Sequence, residues 1–162
     1  MKLWHGSTEL ITVDTVQEGR FHGMFFSAIW NSAVGLGVPK YYYTTEVPDD
    51  DIADATHFPF DHEASQLAIN RYGEDDAEVM LDLMSSRKCV WWETEVARAA
   101  NRAIYGLNEV PKNSFDMAEL DWDIQRETAI LADKLGYKAV AVEDEHGTSY
   151  IVLPGAKLKE EA

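Results

Sequence analysis

The spacing of apolar positions changes twice along the chain. At the start, the short apolar run around Leu3 and Trp4 predicts a strand over residues 2–5. Residues 6–23 are rich in Gly, Ser, Thr and Asp and have no helical period, which predicts a loop with one more short extended piece. Met24 to Phe26 is apolar and bulky and predicts a strand. Ala28 to Val34 predicts a short helix ended by Gly35-Leu36-Gly37. Lys40 to Val47 is rich in Tyr and Thr, side chains that suit a half-buried pleated surface, and Pro48-Asp49-Asp50-Asp51 breaks it.

The middle changes to helical spacing. Glu63 to Tyr72 and Asp75 to Leu83 both carry it, and Val79, Met80, Leu83 and Met84 form one stripe. Trp91 to Tyr105 is rich in Ala and Arg and predicts a helix stopping at Gly106, with a loop at Pro111 to Asn113. Glu119 to Leu135 predicts a long amphipathic helix. Leu120, Ile124, Ala129, Leu131, Ala132 and Leu135 supply its buried face, and Gly136 stands just past its end.

The end returns to strand spacing. Tyr137 to Val142 and Ser149 to Leu153 predict a hairpin around a turn at Glu143 to Gly147. The charged tail, 157–162, is expected to fray. No internal repeat or composition shift marks a boundary, so a single domain over 1–162 is expected, with a helical middle at roughly 60–110. The order strand, loop, strand, helices, strand, strand predicts an α+β fold.

Composition narrows the function. The chain has 162 residues, of which 46% are hydrophobic and 11% aromatic, and this excludes a wholly disordered acidic chain. Lys plus Arg number 14 and Asp plus Glu 29, so the net charge is 14 − 29 = −15. That balance argues against direct nucleic-acid binding, which needs cations to neutralise phosphates, and against docking on an anionic membrane. It leaves an acidic enzyme or a protein that meets a basic partner. A lone cysteine, Cys89, excludes an internal disulfide and fits a reducing cytosol. No signal-peptide pattern and no apolar run long enough for a membrane span occurs, so the cytosol is the expected compartment.

Common site motifs are absent. There is no phosphate-binding Gly-x-x-x-x-Gly-Lys-Ser/Thr, and Gly35-Leu36-Gly37 lacks the third glycine of a dinucleotide fingerprint. His57 and His62, with Asp61 and Glu63, are expected to be a solvated loop entering a helix rather than metal ligands, with Glu63 favouring the helix dipole. Cys89, before Val90-Trp91-Trp92, is expected to be a packed thiol.

The two ends carry the chemistry. Leu3-Trp4-His5-Gly6-Ser7, an apolar strand ending in His-Gly-Ser, resembles the first motif of the ADP-ribosyltransferase superfamily, in the branch of poly-ADP-ribose polymerases and diphtheria-like toxins. The resemblance implies an NAD site. In it His5 would hydrogen-bond a ribose hydroxyl, the Gly6 backbone would approach the nicotinamide carboxamide, and Ser7 would add a hydroxyl. Gly23-Met24-Phe25-Phe26-Ser27-Ala28 resembles the family's glycine–strand–helix segment, whose aromatics stack on nicotinamide. It implicates Phe25, Phe26 and Ser27, with Phe25 where the polymerase pattern has Tyr. Taken by themselves, such phenylalanines are usual core residues. The polymerase-like pattern also has Glu before Tyr-Ile-Val. Here Ser149 precedes Tyr150-Ile151-Val152, and the acidic residues stand upstream in Glu143-Asp144-Glu145-His146-Gly147-Thr148. On its own, such a run is usually a solvated turn.

A narrower resemblance covers about half of the chain. Ala118 to Gln125, Leu135-Gly136-Tyr137 and Asp144 to Tyr150 are similar to phage anti-CRISPR ADP-ribosyltransferases that inactivate type I-F CRISPR complexes. His5, Ser7, Gly19-Arg20-Phe21 and Phe26 fit the same pattern, whereas residues 30–115 do not align. This implies a small split mixed and antiparallel sheet binding NAD as co-substrate, with no metal. Asp144 and Glu145 would be the acidic pair, Asp144 the essential member, and Arg20 a pyrophosphate partner. It also implies a protein target in the bacterial host cytosol, a side chain on a basic DNA-binding subunit of a type I-F complex, which an acidic enzyme would be steered toward. Two alternatives stay open. One is a non-enzymatic acidic blocker of a DNA-binding surface, and the other is an NAD-binding relative or NAD glycohydrolase.

Overall fold

The computed structural model describes residues 1–30, 38–86, 94–144 and 147–161. The expected helix at Ala28 to Val34, the Gly35-Leu36-Gly37 stop, Cys89, Trp91, Trp92 and Glu145 fall wholly or partly outside them.

The elements, in chain order, are β1 (Lys2–Ser7), β2 (Met24–Phe26), β3 (Tyr41–Glu46), β4 (Ile52–Asp54), α1 (His62–Tyr72), α2 (Glu74–Ser85), α3 (Thr94–Tyr105), α4 (Ser114–Lys134), β5 (Ala139–Asp144), β6 (Gly147–Val152) and β7 (Lys159–Glu161). The strands form two small sheets, ordered β1-β3-β7 and β2-β6-β5-β4. The named pairs are antiparallel except β4 with β5, so the expected α+β class with a split, mixed sheet is what the chain adopts. Among the described residues, no helix is long and apolar enough to cross a membrane.

Strand alternation explains the two cores. Phe25, Ala53, Val140, Val142 and Ile151 point from the second sheet toward the helices, where Met80, Leu120, Ile124 and Leu131 meet them. Phe26, Ala139 and Val152 point the other way and join Leu3, Val16 and Val47. The adjacent residues Phe25 and Phe26 therefore serve different cores.

Helix ends follow local chemistry. The Asp61 carboxylate accepts from the Ala64 amide at 2.8 Å and caps α1. The Asn113 side chain accepts from the Asp116 amide at 2.9 Å, so α4 begins several residues before its apolar stripe becomes legible. Gly136, at φ +88°, takes the left-handed position after α4, as its place in the sequence suggested.

The C-terminal tail departs from expectation. Residues 159–161 do not fray; they pair with β3 in the register Thr44↔Lys159, Tyr43↔Glu160 and Tyr42↔Glu161. Thr44 Oγ1 donates to Glu161 Oε1 at 2.8 Å, and Lys2 Nζ lies 3.0 Å from the same oxygen. These two contacts hold the Glu161 carboxyl below its ordinary pKa. One of the charges that suggested a solvated tail, Glu161, has partners on β3 and β1, and β7 covers an edge of β3 that would otherwise expose unpaired backbone groups. Strand β4 is a second addition, three residues long and too short to carry a period.

Candidate functional site

Among the described residues, the two sheets are joined at one backbone bridge. Trp4 and Ser27 exchange both N–H···O bonds, each 2.8 Å. In a strand the backbone groups of alternate residues point to opposite edges. Ser7 O accepts from Lys40 N at 2.9 Å, on the β3 side. Gly6 therefore directs its N–H and C=O to the same edge as Trp4, toward β2. In an unbroken ladder its partner there would be Phe25. The Phe25 carbonyl instead accepts from His5 Nδ1 at 2.8 Å. The imidazole closes the ladder, and the sheet splits beside Gly6.

That hydrogen bond also sets the imidazole's tautomer. A carbonyl only accepts, so Nδ1 carries the proton and Nε2 of the neutral ring keeps a lone pair. Burial is the larger influence on His5 and lowers its pKa below 6.5, while the bond to Phe25 opposes it. The neutral form is favoured, and the ring lies tilted against Phe26 with centroids 5.5 Å apart.

Strand β2 is held close to β6 by Gly23. A Cβ on Gly23 would stand 2.4 Å from Val152 O. This close approach, together with a φ of +153° that side chains rarely adopt, requires glycine before Met24-Phe25-Phe26.

The acidic motif lies at the end of the β5–β6 hairpin. Its strands run further than the sequence suggested, pairing Val142↔Ser149, Glu143↔Thr148 and Asp144↔Gly147. Ser149 is thus diagonal to Asp144 on one face, and Ser149 Oγ donates to Asp144 Oδ2 at 2.5 Å. Strand alternation puts this pair on the face that carries Ile151 and, across β2, Phe25. Glu143 faces the other way and accepts from Thr148 Oγ1 at 2.7 Å.

The remaining predicted residues are placed unequally. Phe25 is half-buried and meets Phe21 edge-on at 5.0 Å, whereas Phe26 is 3% exposed and fills the second core. Ser27 is buried, its backbone held by Trp4 and its Oγ accepting from the Ile29 amide. Ser7 Oγ turns back onto Glu9, donating to its carbonyl at 2.7 Å. Arg20 forms an ion pair with buried Asp123 on α4 and lies 5.7 Å from the Phe21 ring. It therefore anchors the loop before β2 to the helical layer.

Two neighbours were not legible in the sequence. Tyr42 is the β3 residue directly opposite Gly6, and the exposed ring of Trp30 lies 5.4 Å from it. Ser149 is the other, because its contact with Asp144 depends on cross-strand register. A cavity of about 860 Å³, lined by Lys2, Thr45, Val47, Lys138, Leu153 and Leu158, lies at the far end of β1 and β3 and contains none of the predicted residues. Among the described residues, no group of three or more His, Cys, Asp or Glu side chains is arranged to hold a metal ion.

Comparison with known proteins shows the family and the fold. The family model described as Anti-CRISPR Type I-F ADP-ribosyltransferase AcrIF11 matches residues 1–161. A crystal structure of an anti-CRISPR protein superposes with a TM-score of 0.64 at 24% identity, over 99% of this chain and 95% of that one. No curated protein matches. The chain belongs to the family of anti-CRISPR type I-F ADP-ribosyltransferases.

Proposed function

We propose that this member of the anti-CRISPR ADP-ribosyltransferase family binds NAD at the split between β1 and β2 and transfers its ADP-ribosyl group to a side chain of a type I-F CRISPR effector subunit. The observation that carries this reading is the end of the ladder at Gly6. One residue there offers a backbone donor and acceptor side by side, suited to a carboxamide, and His5 beside it supplies a lone pair at Nε2 for a hydroxyl. Phe25 is the more accessible of the two candidate stacking rings. Asp144 is on the same sheet face as Phe25, and we assign it the carboxylate role.

The chemistry asks little of the protein beyond position and charge. The ribose C1′–N bond breaks and nicotinamide leaves with the electron pair. The acceptor side chain forms the new bond to C1′ and releases one proton, to Asp144 or to water. A carboxylate near C1′ stabilises the positive charge that develops there, as in glycoside cleavage. The His5 lone pair orients the ribose by accepting from a hydroxyl. We assign Gly6, Ser27 and Ser7 to shaping the cleft and Phe26 to supporting the imidazole from the core. Arg20 keeps the loop before β2 in place; its pairing with Asp123 makes a pyrophosphate role secondary.

The proposed target surface is basic because it reads DNA. A net charge of −15 would speed encounter with it, in a salt-dependent way. The test is incubation of purified protein with labelled NAD and a type I-F complex, beside Asp144→Asn. Label on an effector subunit is expected with the parent protein and at least 100-fold less with the variant. Nicotinamide release without protein labelling would replace transfer by hydrolysis. Inhibition of the complex without NAD would replace it by simple blocking.

A further inference from the structure

The Asp144 carboxylate does not stand on the strand position that directly precedes Tyr150-Ile151-Val152. That position is Ser149, whose hydroxyl donates to Asp144 Oδ2 at 2.5 Å. The two residues lie on neighbouring strands, diagonal across the ladder, because Val142 pairs with Ser149 and Asp144 with Gly147. Asp144 is the last residue of β5, where the paired ladder ends. A short hydroxyl–carboxylate bond from Ser149 orients its carboxylate there.

We propose that Ser149 is a positioning residue for the transfer reaction, which holds Asp144 Oδ2 so that the carboxylate faces the reacting ribose in one orientation. This rests on the assignment of Asp144 to the reaction. First, the bond is charge-assisted and crosses between strands, so it ties the end of β5 to β6 just where their pairing finishes. Second, Ser149 is half-buried, so water competes less for its hydroxyl than for that of neighbouring, exposed Thr148. Third, a serine here can donate to Asp144 without adding charge. A second carboxylate at 149 would repel the first and raise the pKa of one of them. The hairpin thus presents one oriented carboxylate by dividing two tasks between strands, charge on β5 and orientation on β6.

Misplacing a reacting group by about 1 Å can cost on the order of 100-fold in rate while substrate binding changes little. Ser149→Ala should therefore lower kcat for nicotinamide release by about 10- to 100-fold with KM for NAD within about threefold. Ser149→Thr, which keeps the hydroxyl on the same atom, should recover most of the rate. In an Asp144→Asn background, Ser149→Ala should cost no more than about twofold, because the group it orients is gone. Thermal unfolding of each variant separates loss of fold from loss of rate.

The arms of the experiment separate two failures. If the parent protein releases no nicotinamide, or Asp144→Asn is as active as the parent, the assignment of Asp144 fails and the proposal with it. If Asp144→Asn is inactive but folded Ser149→Ala matches the parent, Asp144 keeps its role and the proposal for Ser149 is overturned. A folded Ser149→Ala that loses rate while Ser149→Thr gains none back also overturns it, since the hydroxyl would then not be the active feature.

Discussion

The imidazole of His5 donates through Nδ1 to the Phe25 carbonyl at 2.8 Å, in the place where a Gly6 amide would continue the ladder. One side chain thereby does two jobs. It ends the backbone pairing between β1 and β2, and it fixes which ring nitrogen keeps a lone pair.

Replacing that side chain should expose both jobs. His5→Ala is expected to lower kcat/KM for nicotinamide release by about 10- to 100-fold, or about 1.4–2.7 kcal/mol. It should also lower the melting temperature by a few degrees, since the Phe25 carbonyl loses its donor. Steady-state kinetics with NAD alone would check this, and unchanged kcat/KM would remove His5 from the site.

The pH dependence has a definite sign. Burial lowers the His5 pKa below 6.5, so below that value the unfolded chain binds the proton that the folded chain resists. The stability from neutral His5 is fully present above 6.5 and is lost as pH falls through the lower folded value. Activity that uses the Nε2 lone pair should be flat from about pH 8 down to 6.5 and decline only below it. The residual activity of His5→Ala should lack that component of the acid limb. A decline of the parent centred at or above 6.5 would contradict the neutral, acceptor role.

Gly23 tests the geometry of β2. A methyl group at this position meets Val152 O at 2.4 Å, and the contact is with backbone that cannot turn aside. Gly23→Ala should cost about 2 kcal/mol and lower the melting temperature by about 4–8 °C. It should also reduce activity, because β2 carries both Phe25 and the carbonyl that holds His5. Calorimetry and nicotinamide release on the same sample would check both halves.

The helical layer has its own sensitive pair. Glu127, 3% exposed on α4, accepts from Arg71 of α1 through both carboxylate oxygens, Arg71 Nη2 lying 2.8 Å from Oε2. Arg71→Ala would leave a buried carboxylate without its cation and should cost about 2–3 kcal/mol, the low side for a buried pair because the arginine is 36% exposed. The double variant Arg71→Met, Glu127→Met should be closer to the parent than either single change. Denaturant melts of the three variants would show it.

Much of this molecule was legible along the chain. The helical stripe at Val79, Met80, Leu83 and Met84, the long helix stopping at Gly136, and the hairpin after it all rest on local periods and end signals, which need no knowledge of distant neighbours. His5, Gly6, Phe25 and Asp144 could be put forward as candidates because short motifs preserve the order of residue types along one strand. The frayed tail and the equal treatment of Phe25 and Phe26 did not survive. Residues 159–161 are ordered by an edge of β3 more than a hundred positions away, and alternation in β2 sends one phenylalanine toward the helices and the other into the second core.

By itself the sequence determined most of the elements, the acidic balance and the residue types at the candidate site, since these follow from composition and nearest-neighbour spacing. Only the tertiary structure decided which groups meet. The His5 imidazole takes the Phe25 carbonyl because Trp4 pairs with Ser27, and Ser149 reaches Asp144 because of the hairpin register. Hydrogen bonds form through space, at distances set by strand pairing, and the linear order of residues carries that register only indirectly.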